Sequence, residues 1–301
     1  MSQALYRNFR NQAELDAEYN VERSVSDFPA VVARFEAASR KAVAELRPRL
    51  TVPYGPTRVE HLDIYPSVPT AAAGAPVLVF FHGGYWRALS SQDFAFVALG
   101  LAPLGVAVVN VNYALCPGVT LDEIVRQARA AVVWSHRHVA EYGGDPQRIH
   151  VGGHSAGAQL SAMCLLTDWV ADYGRPPDII KGAALIGGLY DLRPLPFTFV
   201  QPALQLDYRQ VRRNSPGLLA RKVPGETLIA YGGRETSEFQ RQSVDFAAAW
   251  GAAGNRIRQV LVQTDDDHFA SILALSDSAS SLALSVRHLM GVPPAASLRL
   301  S

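Results

Sequence analysis

The first fifty residues place apolar side chains at roughly helical spacing, Phe28, Val31, Val32, Phe35 and Ala38, among alternating acidic and basic ones, and the pattern stops at Arg47-Pro48. Proline disfavours helix in the residue before it, so the spacing predicts an N-terminal helical arm over residues 1–50. From Tyr54 the pattern changes to short β-rich runs: VEHLDIY (59–65), VLVFFH (77–82), VAVVNVNY (106–113), IHVGGH (149–154), AALIGG (183–188), TLIAYGG (227–233) and QVLVQT (259–264). Several are apolar throughout, as expected of strands covered on both faces. Helix-length segments lie between them, Leu121 to Tyr142, Ala156 to Trp169, Ser237 to Trp250 and Ser278 to Met290. This alternation predicts an α/β fold with a mainly parallel central sheet flanked by helices.

Gly143-Gly144-Asp145-Pro146 closes one helix and turns the chain into the next strand. Residues 189–223 interrupt the alternation with Pro194, Pro196, Pro202 and Pro216, several aromatics and the cluster Arg209, Arg212 and Arg213. They are read as a short lid over the carboxyl edge of the sheet, where such folds bind ligands. No repeat or long linker divides the chain, so residues 1–301 are expected to form a single domain.

Composition then narrows the class. The 301 residues are 49% hydrophobic and 18% charged, enough to bury a sizeable core. Lys+Arg at 28 against Asp+Glu at 27 gives a net charge of +1, with no basic cluster interleaved with aromatics, so no nucleic-acid partner is expected. Cys116 and Cys164 provide neither a disulfide framework nor a metal-ligand spacing, and His136 and His138 face different ways on a helix. No cofactor or metal is expected. A reducing compartment fits, and without a signal-like N-terminus or a long apolar span the expectation is a cytoplasmic protein with no membrane partner.

The chemistry-bearing pattern is Gly153-His154-Ser155-Ala156-Gly157, a GxSxG placed between the run IHVGGH and the helical AQLSAMCLL. Flanking glycines permit a tight strand-to-helix turn that projects the Ser155 hydroxyl at the positive end of a helix. A serine hydroxyl needs a base, and only His268 and His288 follow it in the chain. His268 lies in the loop TDDDHF after a strand, whereas His288 sits deep in a helix, so His268 is the candidate base. Its orienting carboxylate is expected after TLIAYGG, at Glu235, with Glu238, Asp265, Asp266 and Asp267 as competitors. Backbone N–H groups of Gly83 and Gly84, in His82-Gly83-Gly84-Tyr85-Trp86, and of Ala156 are candidate oxyanion donors. His82 is read as a brace for that loop, and Tyr85 and Trp86 as pocket lining or packing.

These residues carry a resemblance. AEYN (17–20), YGPTRVEHLDIYPS (54–67), HGGYW (82–86), GGDPQRIHVGGHSAGAQL (143–160), GLYDLRPL (188–195), the Ser-Pro at 215–216, EFQRQS (238–243) and DHF (267–269) resemble α/β-hydrolases of the arylformamidase (kynurenine formamidase) type. The resemblance implies the α/β-hydrolase fold, Ser155, Glu235 and His268 as catalytic triad, an oxyanion hole at Gly83 and Gly84, and a homodimer. Family members commonly carry Asp where this chain has Glu235. It further implies conversion of N-formylkynurenine to kynurenine and formate, with Trp86, Tyr190, Phe197 and Phe199 available for an aryl ring and the arginines of 209–213 for a carboxylate. A carboxylesterase acting on short acyl esters is the alternative, and a hydrolase scaffold that binds without turnover is the third reading.

Overall fold

The computed structural model describes residues 4–68 and 74–293; the ends of the expected 1–301 domain lie outside the described residues. The strands are β1 (Arg49–Pro53), β2 (His61–Tyr65), β3 (Ala75–Phe81), β4 (Ala107–Val111), β5 (Gly144–His154), β6 (Gly182–Ile186), β7 (Glu226–Gly232) and β8 (Arg256–Gln263). They form one sheet in the order β1-β2-β4-β3-β5-β6-β7-β8. β1 and β2 pair antiparallel, as do β2 and β4, and every other pairing is parallel. The seven predicted runs all become strands. The eighth, β1, has the mostly exposed sequence RLTVP at the sheet edge and carries no apolar run to announce it.

Why β3 and β6 are apolar throughout is visible in their packing. Successive side chains of a strand point to opposite faces. Val77, Val79 and Phe81 of β3 enter one core layer with helices Leu121–His138 and Ala156–Leu165. Leu78 and Phe80 enter the other, with helices Phe28–Leu46 and Ser281–Leu289. The segment predicted as one helix from Ala156 to Trp169 is two, because Asp168 caps a separate short helix, Trp169–Tyr173, by accepting from Ala171 N–H at 3.0 Å. Among the described residues no single helix is long and apolar enough to cross a membrane.

The arm is docked along its length. Tyr19 donates its hydroxyl to Glu238 at 2.7 Å, Thr236 donates to Glu18 O at 2.6 Å, and the Glu18 carboxylate accepts from Glu238 N–H at 2.9 Å, at the start of helix Ser237–Ala252. Phe35, on the arm's second helix, packs its ring 4.7 Å from Phe96 and 5.6 Å from Phe94. Residues 189–223 contain short helical turns at Leu195–Phe197, Gln201–Leu204 and Tyr208–Arg213.

At the end of β5 the chain reverses into helix Ala156–Leu165 with almost no clearance. A Cβ at Gly157 would lie 1.9 Å from the Phe81 carbonyl oxygen, and one at Gly153 would lie 2.3 Å from the Gly157 carbonyl. Gly251, by contrast, is exposed in helix Ser237–Ala252, and a Cβ there would meet only Ile257 at an ordinary 3.7 Å. Gly157→Ala is therefore expected to destabilise the fold by about 2–3 kcal/mol or more through backbone displacement. Gly251→Ala is expected to stabilise it by roughly 0.5–1 kcal/mol through helix propensity. Urea midpoints of the two variants check the pair, and equal shifts would contradict this packing.

Candidate active site

Ser155 sits between β5 and the following helix with φ +56° and ψ −117°. A non-glycine residue in such a conformation costs about 1–3 kcal/mol, which the surrounding contacts must sustain. They do so from three sides. Ser155 N–H donates to Ile186 O at the end of β6 at 2.9 Å, Gly153 abuts Gly157, and Gly83 is so close that a Cβ there would lie 3.3 Å from Ser155 Cβ. Ser155 is thereby held at the carboxyl ends of β3, β5 and β6, the edge at which ligands bind in open parallel sheets.

His268 is the first residue of helix His268–Leu273 rather than a loop residue, because Asp267 caps that helix by accepting from Phe269 and Ala270 N–H at 2.9 and 2.8 Å. Its ring is nearly fully buried, and Nδ1 lies 3.0 Å from Glu235 Oε2. A carboxylate only accepts, so Nδ1–H is the donor and Nε2 is left to accept a proton. Glu235 is fixed in turn, its Oε1 accepting from Gly232 N–H at 2.8 Å. Gly187, at φ +51°, lets the chain after β6 pass this pair, since a Cβ would lie 3.0 Å from Glu235 Oε1 and 3.3 Å from His268 Nδ1. Three of the four competing acids are engaged elsewhere, Glu238 with Tyr19 and Arg241, exposed Asp265 with Arg234, and Asp267 in its cap, while Asp266 meets the turn before Glu235 through its carbonyl, which accepts from Arg234 N–H at 2.9 Å.

Ser155 and His268 line a common cavity of about 250 Å³, together with Gly84, Tyr85 and Phe199. Much of the opposite wall is the N-terminal arm, through Val21, Phe28, Val32 and Phe35, which no local sequence signal connects to Ser155. Gly84, at φ +109°, has no room for a Cβ, which would lie 2.2 Å from Ala88 O, and Ala156 is the buried first residue of its helix.

Three expected pocket residues lie elsewhere. Trp86 is fully buried and donates Nε1–H to Gln159 Oε1 at 3.1 Å, bracing the loop from behind. Tyr190 is buried and stacks on Phe246 at 4.1 Å. Phe197 is exposed and lines no part of this cavity. Of residues 189–223, Phe199 alone among the described residues reaches the cavity wall, so the expected lid contributes less than the arm. The arginine cluster points away as well: Arg213 pairs with Asp122, and Arg212 lies over Tyr208. Among the described residues, the arginine that does line the cavity is Arg87, one residue beyond the HGGYW motif.

Two histidines brace the site. The His82 ring stacks on Tyr113 at 4.0 Å and its Nδ1–H donates to Gly83 O at 2.7 Å, while His154 donates Nε2–H to the His268 carbonyl at 2.9 Å. Burial pushes His82 from the ordinary 6.5 down to about 4, and burial, with His268 nearby, holds His154 well below it.

The match to known proteins agrees with this architecture. The alpha/beta hydrolase fold family matches residues 78–212. Fold and site together define an α/β-hydrolase. The kynurenine formamidase of Danio rerio is 33% identical over 276 residues, covering 88% of this chain and 91% of that one, and that of Salmo salar is 35% identical over 80% and 82%. A solved structure of a thioesterase candidate from Silicibacter sp. tm1040 superposes with a TM-score of 0.77 at 28% identity, covering 90% of this chain and 98% of its own. The chain belongs to the kynurenine formamidase family of α/β-hydrolases. Membership makes it a hydrolase with arylformamidase-like chemistry, and that enzyme class implies a small-molecule substrate.

The buried histidines have a thermodynamic consequence. His150 on β5 is likewise pushed by burial to about 4. All three stay neutral in the folded chain while the unfolded chain takes up protons below the ordinary 6.5. The unfolded state then binds more protons, so stability falls as pH drops from 6.5 toward 4. Denaturant midpoints measured between pH 7 and 5, above the range where most carboxylates titrate, are expected to decrease steadily. A flat profile would contradict neutral burial of these rings.

Proposed function

We propose that this chain is a serine hydrolase that cleaves the formyl amide of N-formylkynurenine or a closely similar aryl formamide, releasing formate. Ser155 Oγ attacks the formyl carbonyl while His268 Nε2 takes its proton. The oxyanion accepts from the backbone N–H groups of Gly83, Gly84 and Ala156. Collapse breaks the C–N bond, and the arylamine leaves with the proton from His268. Water then attacks the formyl-serine ester, giving up its proton to His268; formate departs and the serine is restored. Glu235 holds the imidazole in the required tautomer and stabilises the imidazolium.

The observation that carries this reading is the buried 3.0 Å contact between His268 Nδ1 and Glu235, at a cavity that Ser155 shares. Glutamate in place of the family's common aspartate is compatible with it, because the carboxylate reaches back to the Gly232 N–H at 2.8 Å and is anchored there. The cavity size favours a single aromatic ring with a one-carbon acyl group over a long acyl chain, since about 250 Å³ lies below the roughly 300–1,000 Å³ of typical ligand pockets. Esterase activity on short aryl acetates would use the same residues.

Formate release from N-formylkynurenine is expected with a kcat/KM well above that for short p-nitrophenyl esters, and the opposite ranking would move the chain to the carboxylesterases. Glu235→Gln is expected to lower kcat about 10³- to 10⁴-fold with little change in KM. Glu238→Gln, which breaks a contact to the arm, is expected to act mainly on stability. If Glu238→Gln gave the larger loss in kcat, the carboxylate would be wrongly assigned.

A further inference from the structure

Arg87 has no role in the chemistry above, yet it is the least satisfied charged group near Ser155. It lines the cavity, half-buried, with its guanidinium 5.6 Å from the centre of the Phe199 ring. Its Nε is shielded from solvent, and among the described residues it has no hydrogen-bond partner and no carboxylate pairs with the guanidinium. Other arginines near the arm and excursion are committed: Arg193 to Asp191, Arg213 to Asp122, Arg241 to Glu238. A shielded donor like the Arg87 Nε is rare in folded proteins, and this one belongs to a side chain on the cavity wall, where a ligand group can pair with it.

The conformation of the loop holds this cation in place. Gly84 O accepts from both Arg87 N–H at 3.0 Å and Ala88 N–H at 3.1 Å, while Tyr85, Trp86 and Leu89 all have positive φ. Behind the loop, Trp86 is pinned by Gln159, and Cys116 N–H donates to Trp86 O at 2.8 Å. Among the described residues, leaving aside the two histidines, the other group of formal charge at neutral pH that lines the cavity is Glu22, exposed on the arm's short turn Val21–Ser24. It forms no ion pair with Arg87. An otherwise largely apolar cavity thus presents one cation and one anion that do not neutralise each other.

We propose that Arg87 is the specificity residue for the substrate's carboxylate and that Glu22 receives its ammonium. A guanidinium is suited to this, since its planar fork matches a carboxylate and its charge does not vary with pH. A plain anion would be disfavoured by Glu22, and a neutral ring would leave the shielded Arg87 Nε unpaired. This deepens the formamidase reading and rests on it.

The test compares matched leaving groups. N-formylkynurenine is set against its decarboxylated twin N-formylkynurenamine, and O-acetyltyrosine against O-acetyltyramine, with wild type, Arg87→Met, Arg87→Lys and Glu22→Gln. In Arg87→Met the loss of kcat/KM on the carboxylate-bearing member is expected to exceed the loss on its twin by about 10- to 100-fold, mainly in KM, the worth of a charged hydrogen bond. Arg87→Lys is expected to recover part of it. Glu22→Gln, at an exposed position, is expected to weaken both twins by about two- to fivefold, since both carry the ammonium, and no change on either would remove Glu22 from the proposal. Turnover of the acetates without the formamides would end the formamidase reading while the acetate pair still judged Arg87. Equal losses on both twins, or a wild type that prefers neither member in either series, would overturn the proposal.

Discussion

Everything at the site depends on one crowded backbone crossing. The carbonyl of Phe81 at the end of β3 comes so close to Gly157 that no side-chain atom fits between them, and Gly153 meets the Gly157 carbonyl in the same way. Only with both clearances used does Ser155 take φ +56° and stand clear of the sheet. Gly83 completes the arrangement by passing against Ser155 Cβ and His154 Nδ1. The proposed nucleophile and the proposed oxyanion loop are therefore not two features placed near each other. They are the two sides of a single packing contact.

The arm supplies what the crossing cannot, a wall for the cavity. Its position is fixed by polar contacts far from Ser155, in particular Tyr19 to Glu238 and Glu18 to the start of helix Ser237–Ala252. Tyr85, from the loop after β3, donates its hydroxyl to Tyr19 O at 2.5 Å, which ties the same arm to the loop next to Ser155. Residues distant in sequence thus set cavity shape and carry Glu22 to its edge. On the proposed mechanism, changes in the arm would act on substrate selection more than on the triad.

The sequence was most legible where local chemistry is strict. GxSxG between a strand and a helix marked the turn at Ser155, and chain order led from there to Glu235 and His268, which the fold brings into contact. The mainly parallel α/β sheet followed from short, largely apolar runs alternating with helix-length segments, and those strands are buried on both faces; the α/β-hydrolase assignment came from the resemblance. What stayed hidden is non-local. The apolar positions Phe28, Val32 and Phe35 read as a helix, but nothing in their spacing says that they face Phe269 and the cavity. Aromatic content in residues 189–223 read as pocket lining, whereas Tyr190 is used as core against Phe246 and Phe197 faces solvent. Arg87 carried no signal at all, because its meaning lies in the absence of a partner, which only coordinates reveal.

Turnover by the proposed mechanism requires Ser155 to be the nucleophile that the crossing presents. Treating the folded protein with a fluorophosphonate and locating the adduct by peptide mass spectrometry tests this directly. A single stoichiometric adduct on Ser155 is expected, formed much more slowly when His268 is replaced by alanine. An unlabelled Ser155 in correctly folded protein, or an adduct on a different serine, would contradict it.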